Sequence, residues 1–182
     1  MKKKVWIFNH YATDTMLDHG GRHYWFEKYL TRAGYDVRIF CASTVHDTDI
    51  NFDVGESGYC EKMVDGLKYT LIQTSNYVGN GKSRVKNMYQ FYRRIFRVVK
   101  NYEKPDVIFA SSVHPLTLLA GIKIAKKLGV KCICEVRDLW PESLVEYDII
   151  SRNHIVTKLM YRGERSLYKK EESLIFTMPG AV

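Results

Sequence analysis

Five short apolar runs recur along the 182 residues: KVWIFNH (4–10), DVRIFCAS (36–43), DVIFASS (106–112), VKCICEV (130–136) and SLIFTM (173–178). Each has the length of a strand and is too short for a core helix. Each is apolar almost throughout instead of alternating, which marks a strand buried on both faces. The stretches between several of them carry helical spacing. Buried strands that alternate with helices imply an α/β fold: a Rossmann-like, mostly parallel sheet with helices on both faces.

The intervening stretches fit that scheme. Gly20-Gly21 opens GRHYWFEKYLTRAGY, where Tyr24, Phe26 or Trp25, Tyr29 and Leu30 follow helical spacing and Gly34 marks the stop. Strand, glycine turn, helix and strand make a βαβ unit. Residues 44–62 are polar with scattered glycines and read as a long loop, and residues 75–83 as another. Asp65-Gly66 sits between apolar flanks, the signal of a type I′ hairpin. A long helix is expected from Lys82 to Lys104, with an apolar stripe of Val85, Met88, Tyr89, Tyr92, Ile95, Phe96 and Val99. A basic stripe of Arg93, Arg97, Lys100 and Lys104 lies on another face. HPLTLLAGIKIAKKLG reads as a helix with Pro115 in its first turn and Gly129 past its end. Residues 154–170 read as a further helix. The length suits one domain over residues 1–182.

Apolar residues make up 46% of the chain, ordinary for a globular protein, so disorder is not expected. Lys and Arg number 28 against 20 acids, a net +8 that favours an anionic partner. Cys41, Cys132 and Cys134 lie in apolar runs and read as small core residues; no pair has Cys-x-x-Cys spacing, so zinc is not expected. These cysteines suit a reducing, cytoplasmic setting. The N-terminal apolar run is too short for a signal peptide, and no stretch approaches a membrane span.

In a parallel sheet of this kind the ligand crevice lies outside the carboxyl ends of the strands. Three notable segments fall there: His10 to Arg22, Ser111 to Pro115, and Arg137 to Glu142. With NHYA, GGRHYWFEKYLTRAGYDVRIF, SSVHPLTLLAG, EVRDLWPES and SLIFTMPGAV in order, the chain resembles the N-terminal half of bacterial family 4 glycosyltransferases. These are retaining enzymes of the GT-B class, and the nearest branch is the amino-fucosyl transferases of O-antigen and capsule assembly. RDLWPES carries most of the resemblance.

The resemblance implies a hexosyltransferase that moves a sugar from a nucleotide-diphosphate donor, without a metal or other cofactor, to a glycan on a polyprenyl-diphosphate carrier. It also implies a second domain, holding most of the donor site and a paired-glutamate motif, to which nothing in this sequence corresponds. The chain alone is therefore expected to be the inactive acceptor-side half, cytoplasmic and peripheral on the inner face of the plasma membrane.

Site residues follow from chemistry and resemblance together. A glycine turn that opens a helix offers bare N–H groups and the positive end of the dipole, so Gly20 and Gly21 suit a diphosphate; an ordinary tight turn would look the same. In the family this loop faces the donor phosphates. Asp138, at a strand's carboxyl end, could orient an acceptor hydroxyl or steady positive charge on the reacting sugar, with Arg137 beside it. The plainer use is an Asp cap with Arg as its ion-pair partner. Glu142 suits an acceptor contact or a favourable acid in a helix's first turn. Trp140 with Pro141 shapes the loop wall or stacks on a sugar. His114 is a pocket hydrogen-bonder or simply the start of a helix. His10, His19 and His23 are pocket groups or solvated loop residues.

The basic helix Lys82–Lys104 has three uses: a solvated face, contact with anionic lipid, or RNA binding. No nucleic-acid-binding signature supports the last, and nucleic acid is not expected as a partner. A different class stays open beside the transferase: a stand-alone Rossmann-like binding module that docks on membrane or a protein partner.

Overall fold

In a computed structural model of the chain, residues 2–146, 148–169 and 173–178 are described. They form a sheet of seven strands ordered β3-β4-β2-β1-β5-β6-β7. The strands are β1 (Lys4–Phe8), β2 (Asp36–Ala42), β3 (Tyr59–Val64), β4 (Leu67–Ile72), β5 (Val107–Ser112), β6 (Lys131–Val136) and β7 (Leu174–Phe176). All neighbours are parallel except β3 with β4. The expected α/β, Rossmann-like fold is the one observed.

Alternation within β1 divides the core in two, as the pleat requires. Val5 and Ile7 point to one face and pack with Ile39, Cys41 and two helices, α1 (Ala12–Leu17) and α2 (Arg22–Arg32). Trp6 and Phe8 point to the other and pack with Phe40, α3 (Lys82–Val98) and α4 (Pro115–Leu128). Phe8 meets Phe40 edge to face at 5.4 Å, and each such buried ring contributes about 2 kcal/mol. Cys41, Cys132 and Cys134 are buried, as their apolar settings imply.

Local signals hold where backbone chemistry dictates them. Asp65 and Gly66 have φ of 52° and 78°, the two left-handed residues of a type I′ turn between β3 and β4. Pro115 begins α4, and Gly129 ends it at φ 62°. Gly121 lets α4 lie close on the sheet, because a Cβ there would stand 2.6 Å from the Ala110 Cβ.

Several expectations need correction. The short helix α1 was not anticipated between His10 and Gly20. The 44–62 loop ends early, because Tyr59 already starts β3, whose polar face lies at the sheet edge. The long helix stops at Val98, followed by a 3-10 turn over Val99–Asn101, so Lys104 lies beyond it. Its buried face is Asn87, Met88, Phe91, Ile95 and Val98, while Val85 and Tyr89 are exposed. In α2, Trp25 and Tyr29 are exposed by 43% and 59%, whereas the polar His23 and Glu27 are buried. The last expected helix is α6 (Ile155–Tyr168), preceded by the short α5 (Glu142–Glu146). The PGAV segment at 179–182 lies outside the described residues. Among the described residues, no helix is long and apolar enough to cross a membrane.

Candidate functional site

From β1 the chain builds one side of the sheet through β2, then returns to β1's other flank as β5. The crevice at that reversal is the ligand site of open parallel sheets. The residues that follow β1 and β5 meet there. His10 and His114 are both buried, and His10 Nδ1 lies 2.6 Å from His114 Nε2.

The amides around them decide which nitrogen carries each proton. Asn87 of α3 donates its Nδ2 to Thr44 Oγ1 at 3.0 Å and to the Ser75 carbonyl at 2.7 Å. Its Oδ1 therefore accepts from His10 Nε2 at 2.7 Å. His10 Nδ1 is left as an acceptor for His114 Nε2–H. His114 Nδ1 then remains a buried acceptor with no hydrogen-bond partner among the described residues. The His10 ring is clamped between Tyr11 and Phe91, both within 6° of parallel. Burial drives the His10 pKa down to about 3 and that of His114 well below the usual imidazole range, with Arg84 adding to both.

A second network joins α2 to β6. The buried Glu135 carboxylate accepts from Arg22 Nε at 2.5 Å, Ser111 Oγ at 2.6 Å and His23 Nε2 at 3.2 Å. The Tyr11 N–H holds the Asn9 Oδ1, so Asn9 Nδ2 donates to His23 Nδ1 at 2.7 Å, and His23 keeps its proton on Nε2. Burial alone would raise the Glu135 pKa; His23, Ser111 and Arg22 outweigh it and lower it to about 2. Burial lowers His23 in turn, against the pull of Glu135. Arg22 stands in the first turn of α2 with its side chain 44% exposed. Its guanidinium is anchored at one edge and open at the other.

Gly21 caps α2 at φ 82°, and a Cβ on it would stand 2.8 Å from Thr15 Cγ2. The Gly20 N–H donates to the Thr15 carbonyl at 3.2 Å, so Gly20 supplies room. The open donors are those of Gly21 and the first helical turn.

The RDLWPES segment leaves β6 beside these groups. Arg137 and Asp138 are half-buried, and among the described residues neither has a hydrogen-bond or ion-pair partner, so the Arg–Asp pair does not form. Trp140 Nε1 donates to the Val113 carbonyl at 2.8 Å, which ties this loop to the turn before His114. The Trp140-Pro141 peptide is cis. Glu142 turns away, bonded to Tyr161 and Arg152. His19 is also apart, exposed and paired with Asp65 at 2.7 Å.

The structure thus gathers His10, His23, His114, Gly21, Arg137, Asp138 and Trp140 at one end of the sheet. Sequence reasoning did not single out Asn9, Arg22, Asn87 or Glu135. Two of them were visible as anomalies: a glutamate inside the apolar run CICEV, and an arginine at a helix N-terminus where the dipole disfavours it.

Residues 24–182 match the model of the Glycosyl transferase 4-like domain. No curated protein sequence matches the chain. Among solved structures, sucrose-phosphate synthase from Thermosynechococcus elongatus superimposes with a TM-score of 0.62 at 10% identity, over 95% of this chain and 42% of that one. The chain therefore spans less than half the length of that relative, and the likeness is one of fold. The FeoB G-domain from Methanococcus jannaschii aligns over 97% of this chain and 86% of its own at 14% identity, but its TM-score of 0.29 carries no weight. With a family match over most of its length and a GT-B-like sheet beneath its crevice, the chain belongs to the glycosyl transferase 4-like family.

Proposed function

We propose that this chain is the acceptor-side domain of a retaining glycosyltransferase, which moves a sugar from a nucleotide-diphosphate donor to a lipid-linked glycan in surface polysaccharide assembly. The observation that carries it is the meeting of the glycine-capped helix, the His10–His114 pair and the unpartnered Asp138 at the carboxyl ends of the strands. Gly21, the first-turn N–H groups and the open edge of Arg22 would receive the diphosphate, and Gly20 keeps the approach clear. These groups meet its charge without a metal. His114 Nδ1, a fixed acceptor, suits a sugar hydroxyl. Asp138 would face the reacting centre with no partner among the described residues to neutralise it, and Arg137 stands beside it. The amino-fucosyl branch is the sequence's nearest resemblance. Most of the donor site belongs to a second domain, so these residues alone would not turn over. The basic face of α3 would meet anionic lipid where the carrier resides.

The test is Asp138→Asn in the full-length protein. A transferase of this design loses turnover by about a hundredfold with its fold intact, because no hydrogen bond or ion pair among the described residues is broken. Unchanged turnover removes Asp138 from the reaction. An intact docking activity with no turnover in either form favours the binding module.

A further inference from the structure

The C-terminal halves of α3 and α4 enclose an open groove of about 610 Å³, at the end of these helices away from the crevice. Its rim carries Arg93, Arg97, Lys100, Lys104, Lys123 and Lys127, and among the described residues no carboxylate lines it. Lys123 donates to the Tyr92 hydroxyl at 3.0 Å; the other five have no ion-pair partner among the described residues. The floor is apolar, with Trp6, Phe96, Ile124 and Leu128. Six cations held this close repel one another, a cost that a bound anion would relieve.

The floor continues out of the groove. Val85, Tyr89, Tyr92 and Phe96 stand in one row along α3, at the i, i+4, i+7 and i+11 spacing of a single helix face. Val85 and Tyr89 are exposed by 60% and 53%. Tyr89 to Tyr92 and Tyr92 to Phe96 are ring contacts of 6.2 Å and 5.3 Å. A row of cations flanks this apolar row along its length, from Lys82 and Lys86 to Lys100. The arrangement is that of a helix lying in a membrane interface.

We infer that this groove is a binding site for an anionic phospholipid of the bilayer surface, with its phosphate on the rim cations and an acyl chain along the Phe96–Tyr92–Tyr89 row. Single-stranded nucleic acid fits less well, because bases need open ring faces on which to stack. Trp6 is buried against Phe8 and Phe40, and the Arg38 guanidinium covers the Tyr102 ring at 4.6 Å. An acyl chain needs apolar surface and no free face. The inference rests on the membrane-contact part of the proposed function and is independent of the transfer chemistry.

The test is co-sedimentation of the full-length protein with phosphatidylglycerol vesicles and with phosphatidylcholine vesicles. Binding is expected to the first only. Arg97→Glu with Lys127→Glu, both exposed groove residues, should weaken it about tenfold or more. Arg32→Glu with Lys62→Glu, the same charge change at exposed positions away from α3 and α4, should weaken it by about twofold or less. Equal losses in the two pairs would reduce the site to bulk electrostatics and overturn the groove. Preference for phosphatidylcholine vesicles doped with polyprenyl phosphate, or for single-stranded RNA, would overturn the choice of ligand. No binding to any vesicle removes the groove and the membrane contact together, while turnover by the same preparation leaves the transferase reading standing. Circular dichroism of each variant confirms that the fold persists, and Tyr92→Ser with Phe96→Ser, which keeps every charge, should weaken binding about as much as the groove charge swaps.

Discussion

His10 and His114 are separated by 104 positions in sequence and share a 2.6 Å hydrogen bond across the reversal of strand order between β1 and β5. The bond needs a neutral His10, whose Nδ1 accepts from the His114 Nε2–H. Protonating either one would put a cation in a buried cluster that Arg84 already biases against positive charge.

Stability should therefore fall on the acid side. His10, His23 and His114 have folded pKa values below the unfolded value of 6.5. Above pH 6.5 neither state takes up these protons; below it the unfolded chain does and the folded chain resists. Each histidine still neutral at pH 5 costs about 2 kcal/mol there. Denaturant midpoints measured from pH 8 to pH 5 should drop steeply below about pH 6.5, and a flat profile would contradict the buried neutral cluster.

Glu27 should act on the other side of neutrality. Burial pushes its pKa up to about 8, against the Lys68 N–H bonded to Oε1 at 2.5 Å and the nearby Arg38. Between pH 4.5 and 8 the folded state keeps a proton that the unfolded state releases, so this residue's contribution falls as pH rises through that window. Glu27→Gln keeps the acceptor for Lys68 and removes the titration. Its stability relative to the unmodified protein should improve by a few kcal/mol between pH 5 and pH 8. Parallel pH profiles for the two proteins would place the Glu27 proton elsewhere.

Glu135 and Arg22 should separate stability from donor binding. Glu135→Gln weakens three charge-assisted bonds at a buried site and should cost about 2 kcal/mol or more. It should also weaken donor binding by the full-length protein about tenfold, because Arg22 loses its anchor. Arg22→Gln should match that binding loss with a smaller stability cost, since its side chain is 44% exposed. Calorimetric titration with the donor nucleotide diphosphate, beside thermal melts, reads both. Unchanged binding in both variants would leave the network structural.

Gly21 combines two constraints that a double variant can divide. Gly21→Ala meets an unfavourable φ of 82° and a methyl group of Thr15 at 2.8 Å. The expected loss is about 2 kcal/mol, of which about half is backbone conformation. Thr15→Ser removes the opposing Cγ2 and should return the steric part only. Full recovery in the double variant would show that the backbone adopts this conformation without strain.

The fold was legible where physics is local. Continuous apolar runs gave the parallel strands, Asp65-Gly66 the hairpin, Pro115 and Gly129 the bounds of α4. What escaped depends on partners far along the chain. Nothing near Trp25 or Tyr29 says that the α2 face belonging to His23 and Glu27 is the buried one, because Glu135 and Lys68 are what make those polar groups acceptable inside. The crevice segments were visible as motifs, but the proton positions on His10 and His114 required Asn87, which reads in sequence as an ordinary helical residue. The rim lysines of α4 lay hidden in a helix that reads as plain amphipathic packing.

The α3 helix joins the two ends of the molecule. It gives Asn87 to the crevice and Arg97 to the groove, and the rise between those positions is about 15 Å. A helix of this kind is a stiff strut. Any surface seated on Arg97 holds the crevice mouth at a fixed standoff, and a reactant tethered to that surface is gauged by whether its own polar head can span the gap.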